Sequence, residues 1–324
     1  MARLIRVRPD VDPGLRRLRA GAGFRYVDEN GKTVTEADRE RIRALVVPPA
    51  WQDVWISADP RGHIQAVGTD DADRRQYIYH PRWRSRRDRD KFARALALAE
   101  ALPRARGRVT SALRDESDGH ARVLAASFRM LDAAAPRVGS AQYLERHGSR
   151  GLTTLQRRDA SVSGSLVTLS FPAKSRTRAR LEIDDADLAV VVALLRAGGA
   201  RSPLLWHRRG RRQVALRPAE VNAHIRALTG AAFSAKDFRT LRGTILAAEA
   251  LARIGPLDTV RDRKRAAAIA VQATADALGN TPAVSRNSYI DPRVFARYER
   301  GELLDLGVSP ESAILRLLLP GEHH

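Results

Sequence analysis

The hydrophobic patterning of this 324-residue chain changes character once, near residue 90, and that change limits the fold more than any single motif. Before it, apolar residues come in short runs separated by turn residues. Phe24-Arg25-Tyr26-Val27 and Lys32-Thr33-Val34 flank Asn30-Gly31, a strong hairpin signal because both turn residues tolerate positive φ. Residues 54–56, 63–67 and 76–79 read as further strands, and a short helix over 36–45 stops ahead of Pro48-Pro49. Beyond residue 91, apolar residues recur at three- and four-residue spacing over 92–101, 121–134, 185–196, 218–228, 234–254 and 258–278, as amphipathic helices require. A β interlude at 152–155, 166–171 and 179–183 interrupts them, its last two runs flanking the basic loop Pro172-Ala173-Lys174-Ser175-Arg176-Thr177-Arg178. Ser234 with Asp237 has the form of a capping box, Gly279 suits a helix end, and Thr281-Pro282 suits a fresh start. The charged run over 82–91 lacks apolar periodicity and reads as a linker. The expectation is an α+β protein: a small β-rich N-terminal domain over 1–90, then a larger, mostly helical domain over 91–324 with a short β-sheet.

Composition narrows the partner. The formal charge is +20, and a compact protein with that much self-repulsion calls for a polyanion. DNA or RNA fits, whereas a membrane surface would need a basic amphipathic stripe or polybasic tail, and neither is present. Arginine richness also follows from GC-rich coding, so charge alone does not decide. The longest apolar run, residues 188–195, is far short of the ~20 residues a membrane helix needs. The first residues hold no apolar stretch long enough for a secretion signal, and the absence of cysteine excludes disulfides and thiolate zinc sites. These features point to a cytoplasmic, nucleoid-associated protein. The eight histidines show no metal-ligand spacing and no phosphate-binding glycine loop occurs, so neither a metal nor a nucleotide cofactor is expected. The basic residues are lopsided, five lysines against 52 arginines. Lysine is therefore the unusual choice, and it differs from arginine in being able to give up its proton.

Four segments of the second half stand out: Pro136-Arg137-Val138-Gly139-Ser140-Ala141-Gln142-Tyr143, the loop around Lys174, Ala235-Lys236-Asp237-Phe238-Arg239-Thr240, and the stretch from Leu278-Gly279-Asn280-Thr281-Pro282 to Ser288-Tyr289-Ile290. In order and spacing they resemble the catalytic domain of the small type IB DNA topoisomerases of bacteria and poxviruses. Arg74-Arg75-Gln76-Tyr77-Ile78-Tyr79 resembles that family's DNA-facing strand. The resemblance covers nearly the whole chain and implies the catalytic fold shared with tyrosine recombinases, a β-rich DNA-clamp domain over 1–90, double-stranded DNA as partner, no cofactor, and a monomer. It further implies a site in which Tyr289 attacks a backbone phosphorus to leave a 3′-phosphotyrosyl link. Arg137 and Arg239 would hold the non-bridging oxygens, Lys174 would protonate the departing 5′-oxygen, and Asn280, where part of the family has histidine, would hydrogen-bond a non-bridging oxygen. Gln76, Tyr77, Tyr79, Tyr143 and Lys236 would contact DNA. Leu241-Arg242-Gly243 departs from the family, many of whose members carry an aromatic residue and a histidine there.

These residue types suit the chemistry. A phenol with a pKa near ~10 is a poor nucleophile unless a positive field favours the phenolate, and fixed guanidiniums supply that field while stabilising charge on the phosphorane oxygens. The 5′-alkoxide is strongly basic, so a positioned proton donor is worth roughly 10²- to 10⁴-fold. Each residue also has a plainer reading: Tyr289 as packing beside a helix end, Arg137 and Arg239 as surface charges, Lys174 as a solvated loop residue, Asn280 as a turn residue. Two other functions stay open here. A tyrosine recombinase uses the same chemistry, but usually carries histidine where this chain has Lys236 and has a helical N-terminal domain. A non-enzymatic DNA-binding protein would satisfy the charge alone.

Overall fold

The structure, a computed structural model, describes residues 3–173 and 177–319. Lys174 lies outside the described residues. The chain divides into two compact units, residues 1–90 and 91–324.

In the first unit, strands β1 (Gly14–Ala20), β2 (Gly23–Val27), β3 (Gln52–Ser57), β4 (Ile64–Thr69) and β5 (Arg75–Tyr79) form one antiparallel sheet in the order β2-β1-β3-β4-β5. Helix α1 (Glu36–Ala44) is capped by Thr35, whose hydroxyl accepts from the Asp38 backbone N–H. Its Ile42 is buried in one cluster with Leu15, Val54, Ile56 and Ala66, so helix and sheet share a single apolar core. The Asn30-Gly31 turn forms, with the Asp28 carboxylate accepting the N–H groups of Asn30 and Lys32 at 2.9 Å each. The strand expected over 32–34, however, shrinks to one bridge between Val27 and Thr33, and β2 pairs instead with β1. β1 escaped sequence reading because three of its seven residues are arginines. One of them, Arg17, donates to Pro48 O at 3.0 Å and lies 4.2 Å from the Phe24 ring centroid, so its stem covers sheet surface as an apolar residue would.

Helix α2 (Pro81–Arg114) corrects the linker expected over 82–91. Arginine is a good helix former and nothing in the run breaks a helix, so an absent apolar stripe there marks a solvated helix face. The helix also runs through Pro103, past the end expected at residue 101. An interior proline costs about 3 kcal/mol, but Leu98, Leu102, Val109 and Leu113 are all buried, and each buried side chain contributes roughly 1.5–3 kcal/mol, which offsets it.

In the second unit, helix α3 (Gly119–Ala134) runs through the core with Val123, Phe128, Met130 and Leu131 buried. There follow α4 (Ala141–His147), the antiparallel sheet of β6 (Ala160–Ser163), β7 (Leu166–Pro172) and β8 (Arg178–Asp184), helix α5 (Ala186–Leu195) and the hairpin β9 (Trp206–Arg209) and β10 (Arg212–Ala215). Helices α6 (Pro218–Thr229), α7 (Ala235–Ile254), α8 (Val260–Leu278), α9 (Pro282–Ser288), α10 (Pro292–Glu299) and α11 (Pro310–Leu318) complete the unit. The expected caps form: the Asp237 carboxylate accepts from both N–H and hydroxyl of Ser234, and the Thr281 hydroxyl accepts from Val284 N–H. Residues 152–155, expected as a strand, instead hold a 3₁₀ turn (Leu152–Thr154) with Leu152 and Leu155 buried, the usual ambiguity of a short apolar run. Mixed helix and sheet with helix dominant in the second unit bears out the α+β expectation. Among the described residues no helix is long and apolar enough to cross a membrane.

Phe128 is fully buried and meets Phe238 edge-on at 5.2 Å between ring centroids, joining α3 to α7. Phe128→Ala should lower the unfolding free energy by about 3–5 kcal/mol, read as a reduced urea midpoint at unchanged m-value. A loss under ~1 kcal/mol would show that this contact is not part of the core.

Candidate active site

The site begins with a buried charge. Arg239, on the second turn of α7, is 5% exposed. Its Nη1 donates to Ala135 O at 2.7 Å and its Nη2 to Leu278 O at 2.8 Å. Those carbonyls close the C-terminal ends of α3 and α8, where carbonyls lack helical partners and the helix dipole is negative. Ala135 adopts φ 46°, a left-handed conformation unfavourable for alanine by about 1–2 kcal/mol, and so ends α3 just before Arg137. Two of the five guanidinium N–H bonds thus anchor Arg239, the group also hydrogen-bonds the Tyr289 side chain, and Nε lacks any partner among the described residues.

Arg137 is placed by backbone contact. The segment after α3 lies against residues 151–153: Leu152 N–H donates to Arg137 O at 2.8 Å and Thr153 N–H to Val138 O at 2.9 Å. The two chains approach at a pair of glycines. A Cβ on Gly151 would sit 2.5 Å from Arg137 O, and one on Gly139, already at φ 75°, 2.9 Å from Gly151 Cα. From this seat Arg137 Nη2 donates to the Asn280 Oδ1, while Asn280 Nδ2 is buried with no partner among the described residues. Arg137, Arg239 and Asn280 line one cavity of about 560 Å³. Ala173 and Thr177, on either side of Lys174, line it as well, and Ala173 N–H donates to Thr177 O at 2.8 Å across the neck of the β7–β8 loop.

Tyr289 follows α9 and is 8% exposed. Its ring lies 5.0 Å from the Arg239 guanidinium carbon. Burial by itself would raise the phenol, but the charge of Arg239, with smaller contributions from Arg137 and Lys236, outweighs it and holds the phenol below its ordinary value. Burial acts in the opposite direction on Arg239, lowering it from the usual guanidinium range; arginine stays charged even so. Two residues that sequence reading did not assign hold the tyrosine. The Thr244 hydroxyl donates to Tyr289 O at 3.2 Å, shared with Thr240 O, and accepts from Asp291 N–H at 3.1 Å. Gly243 lets α7 approach: a Cβ there would lie 2.8 Å from Tyr289 O and 3.0 Å from its Cβ. A glycine inside a long helical pattern was the available signal.

The expected DNA contacts are placed less uniformly. Lys236 is exposed one turn before Arg239, and Tyr143 is exposed on α4 with its ring 4.5 Å from that of His147. On β5, Tyr77 and Tyr79 are 41% and 42% exposed and stack at 5.9 Å with an interplanar angle of 16°. Gln76 does not join them. Strand alternation turns it to the other face with Ile78, and its amide donates to Asp70 Oδ2 at 2.8 Å. Elsewhere in the first unit, Arg3, Arg6, Arg61, Arg82, Arg86 and Arg89 gather around Trp83 at one cavity, a basic surface of the kind that binds phosphates.

Similarity to known proteins identifies the family. A sequence-family model described as "Eukaryotic DNA topoisomerase I, catalytic core" matches residues 80–300, more than half the chain, and one described as "Bacterial DNA topoisomerase IB, N-terminal domain" matches residues 23–70. The DNA topoisomerase 1B of Acanthamoeba polyphaga mimivirus is 29% identical over 285 residues, spanning 86% of this chain and 85% of that protein. Among solved structures, the XerH site-specific recombinase bound to palindromic difH substrate, a post-cleavage complex, matches 72% of this chain at a TM-score of 0.36 and 14% identity. This chain spans 58% of that one, and so loose a likeness carries no weight here. The first family match contains Arg137, Arg239, Asn280 and Tyr289 and extends over most of the second unit, so the chain belongs to the type IB DNA topoisomerases.

Proposed function

We propose that this type IB topoisomerase relaxes supercoils of either sign as a monomer, without ATP or metal, through a 3′-phosphotyrosyl intermediate followed by strand rotation and resealing. The observation that carries the reading is the pairing of Tyr289 with a buried, anchored Arg239 beside a cavity that Arg137 and Asn280 also line.

In the cleavage step the Tyr289 oxygen, once its proton has left, forms a bond to phosphorus as the bond from phosphorus to the 5′-oxygen breaks. Arg239 favours the phenolate and turns its remaining N–H groups to one non-bridging oxygen. Because its anchor is preset, little reorganisation accompanies the charge that develops. Arg137 serves the other oxygen, held in orientation by Asn280 Oδ1, and Asn280 Nδ2, without a partner among the described residues, is a further donor. This division gives Asn280 two tasks, orienting a guanidinium and binding the phosphate. Lys174 gives its proton to the 5′-oxygen; its neighbours Ala173 and Thr177 at the cavity support that role. Lysine suits the task because an ammonium can lose a proton and a guanidinium effectively cannot. The phosphotyrosyl bond retains the energy of the broken linkage, so resealing by the 5′-hydroxyl requires no nucleotide. Tyr77 and Tyr79 offer an exposed aromatic surface and Lys236 and Tyr143 offer polar groups for the DNA backbone.

Three outcomes test this. Tyr289→Phe should abolish plasmid relaxation in EDTA without ATP, and also the detergent-trapped protein–DNA adduct, while gel-shift affinity stays within a few-fold; residual relaxation would remove Tyr289 from the chemistry. Lys174→Ala should slow cleavage of ordinary DNA roughly 10²- to 10⁴-fold yet cleave a 5′-bridging phosphorothiolate at close to the parent rate, since a thiolate leaves unprotonated. An equal defect on both substrates would exclude the proton-donor role. On the phosphorothiolate, single-turnover cleavage should rise with pH as the phenolate fills, with its midpoint below the ~10 of a free phenol, and in Arg239→Ala the midpoint should move upward. A parent midpoint at or above pH ~10, unmoved in Arg239→Ala, would show that the charged neighbours do not activate Tyr289.

A further inference from the structure

Away from the cavity, the second unit brings together three groups that no pattern along the chain connects. His120 stands on the first turn of α3, His207 on β9 and Glu220 on the first turn of α6. One ligand atom from each residue lies within 4.8 Å of the other two, and Glu220 Oε1 is 3.8 Å from His120 Nε2 and 4.0 Å from His207 Nε2. The two imidazoles stack at 3.9 Å.

The hydrogen bonds around this cluster leave it short of a cation. His207 Nδ1 faces its neighbour's carbonyl, Arg208 O, at 3.3 Å. A carbonyl only accepts, so in the neutral imidazole the proton sits on Nδ1 and Nε2 is the nitrogen free to ligate. The His207 side chain is 8% exposed, and its Nε2 has no partner among the described residues; nor does the buried Nε2 of His120. Glu220 is fixed from behind: Oε2 accepts the N–H of Arg217 at 2.9 Å and its Nε at 3.0 Å, which leaves Oε1 for the histidines. A proton does not complete the arrangement, since separations of 3.8 and 4.0 Å exceed the ~2.7–3.2 Å of a hydrogen bond. They approach the ~3.3 Å edge between ligands placed ~2.0–2.1 Å from a tetrahedral ion, so the two edges that meet at Glu220 need close by only roughly 0.5–0.7 Å.

We infer that His120, His207 and Glu220 form a binding site for a divalent first-row metal ion such as Zn²⁺, with a fourth position left for water. Both supports of such a site are present: a histidine whose second nitrogen is held by a carbonyl, and a carboxylate whose second oxygen is held by a donor. The 43% exposure of the His120 side chain provides an entry path. The ion staples α3, β9 and α6 at one place. His120 is fifteen residues before Ala135 along α3, about 22 Å at helical rise, so the ion does not touch the reacting phosphate. Its role is to brace the start of the helix whose far end anchors Arg239.

The test uses the full chain, stripped of metal by chelator and dialysed. Titration with Zn²⁺ should give one equivalent bound and, at about a hundredfold excess over the dissociation constant, raise the melting temperature by about 5–10 °C. Co²⁺ should give the visible absorption of a tetrahedral nitrogen–oxygen site. His120→Ala and Glu220→Gln should each weaken Zn²⁺ binding at least ~100-fold. The first removes a half-exposed side chain at a helix start, and the second keeps an acceptor for Arg217, so both should fold; both should relax plasmid in EDTA at the parent rate. His147→Gln should bind Zn²⁺ as the parent does. Absence of stoichiometric binding at micromolar Zn²⁺ overturns the inference. So does binding that survives in both site variants, which would belong to other histidines such as His323 and His324.

Discussion

The guanidinium of Arg239 holds together three parts of the chain distant in sequence. One N–H meets the carbonyl that ends α3, another the carbonyl that ends α8, and the charge faces the Tyr289 ring. Burying an ion costs several kcal/mol, and each carbonyl would lose roughly 1–3 kcal/mol if left unpaired. Neither is tolerable alone. Together the ion satisfies two helix ends and the helix ends satisfy the ion, which makes the position of the charge a property of the fold. Arg137 follows the α3 carbonyl by two residues, and Asn280 follows the α8 carbonyl by two. Each therefore inherits its place from the same anchor.

Close backbone approach does the remaining positioning. Gly139 with Gly151 brings the Arg137 segment against residues 151–153, and Gly243 with Thr244 brings α7 against Tyr289. At these places a methyl group would sit within 2.5 to 2.9 Å of main-chain atoms, so the constraint is on side-chain size.

How much was legible follows from how local each signal is. Periodicity located α3, α5, α6, α7 and α8 because each buries a stripe wide enough to count. It failed over 82–91, where a helix face is wholly solvated, and at Pro103, where buried leucines outweigh a broken hydrogen bond. It misread 152–155, where two buried leucines sit on a 3₁₀ turn, and passed over β9 and β10, which are short and polar. Gln76 was grouped with Tyr77 and Tyr79 by motif, although neighbouring strand residues face opposite ways. The cluster of His120, His207 and Glu220 left no trace along the chain, because its members belong to three elements.

By itself the sequence determined the class of the protein: a basic, cysteine-free α+β chain whose ordered set of arginine, lysine, asparagine and tyrosine segments matches one chemistry. Those features are compositional and local, and they persist whether or not the chain is folded. Tertiary structure alone decided which of 52 arginines is buried against a tyrosine, which donors stay unpaired and which histidines meet. Desolvation and hydrogen-bond competition act between atoms close in space, and closeness in space is what a linear order of residues leaves unspecified until the core has formed.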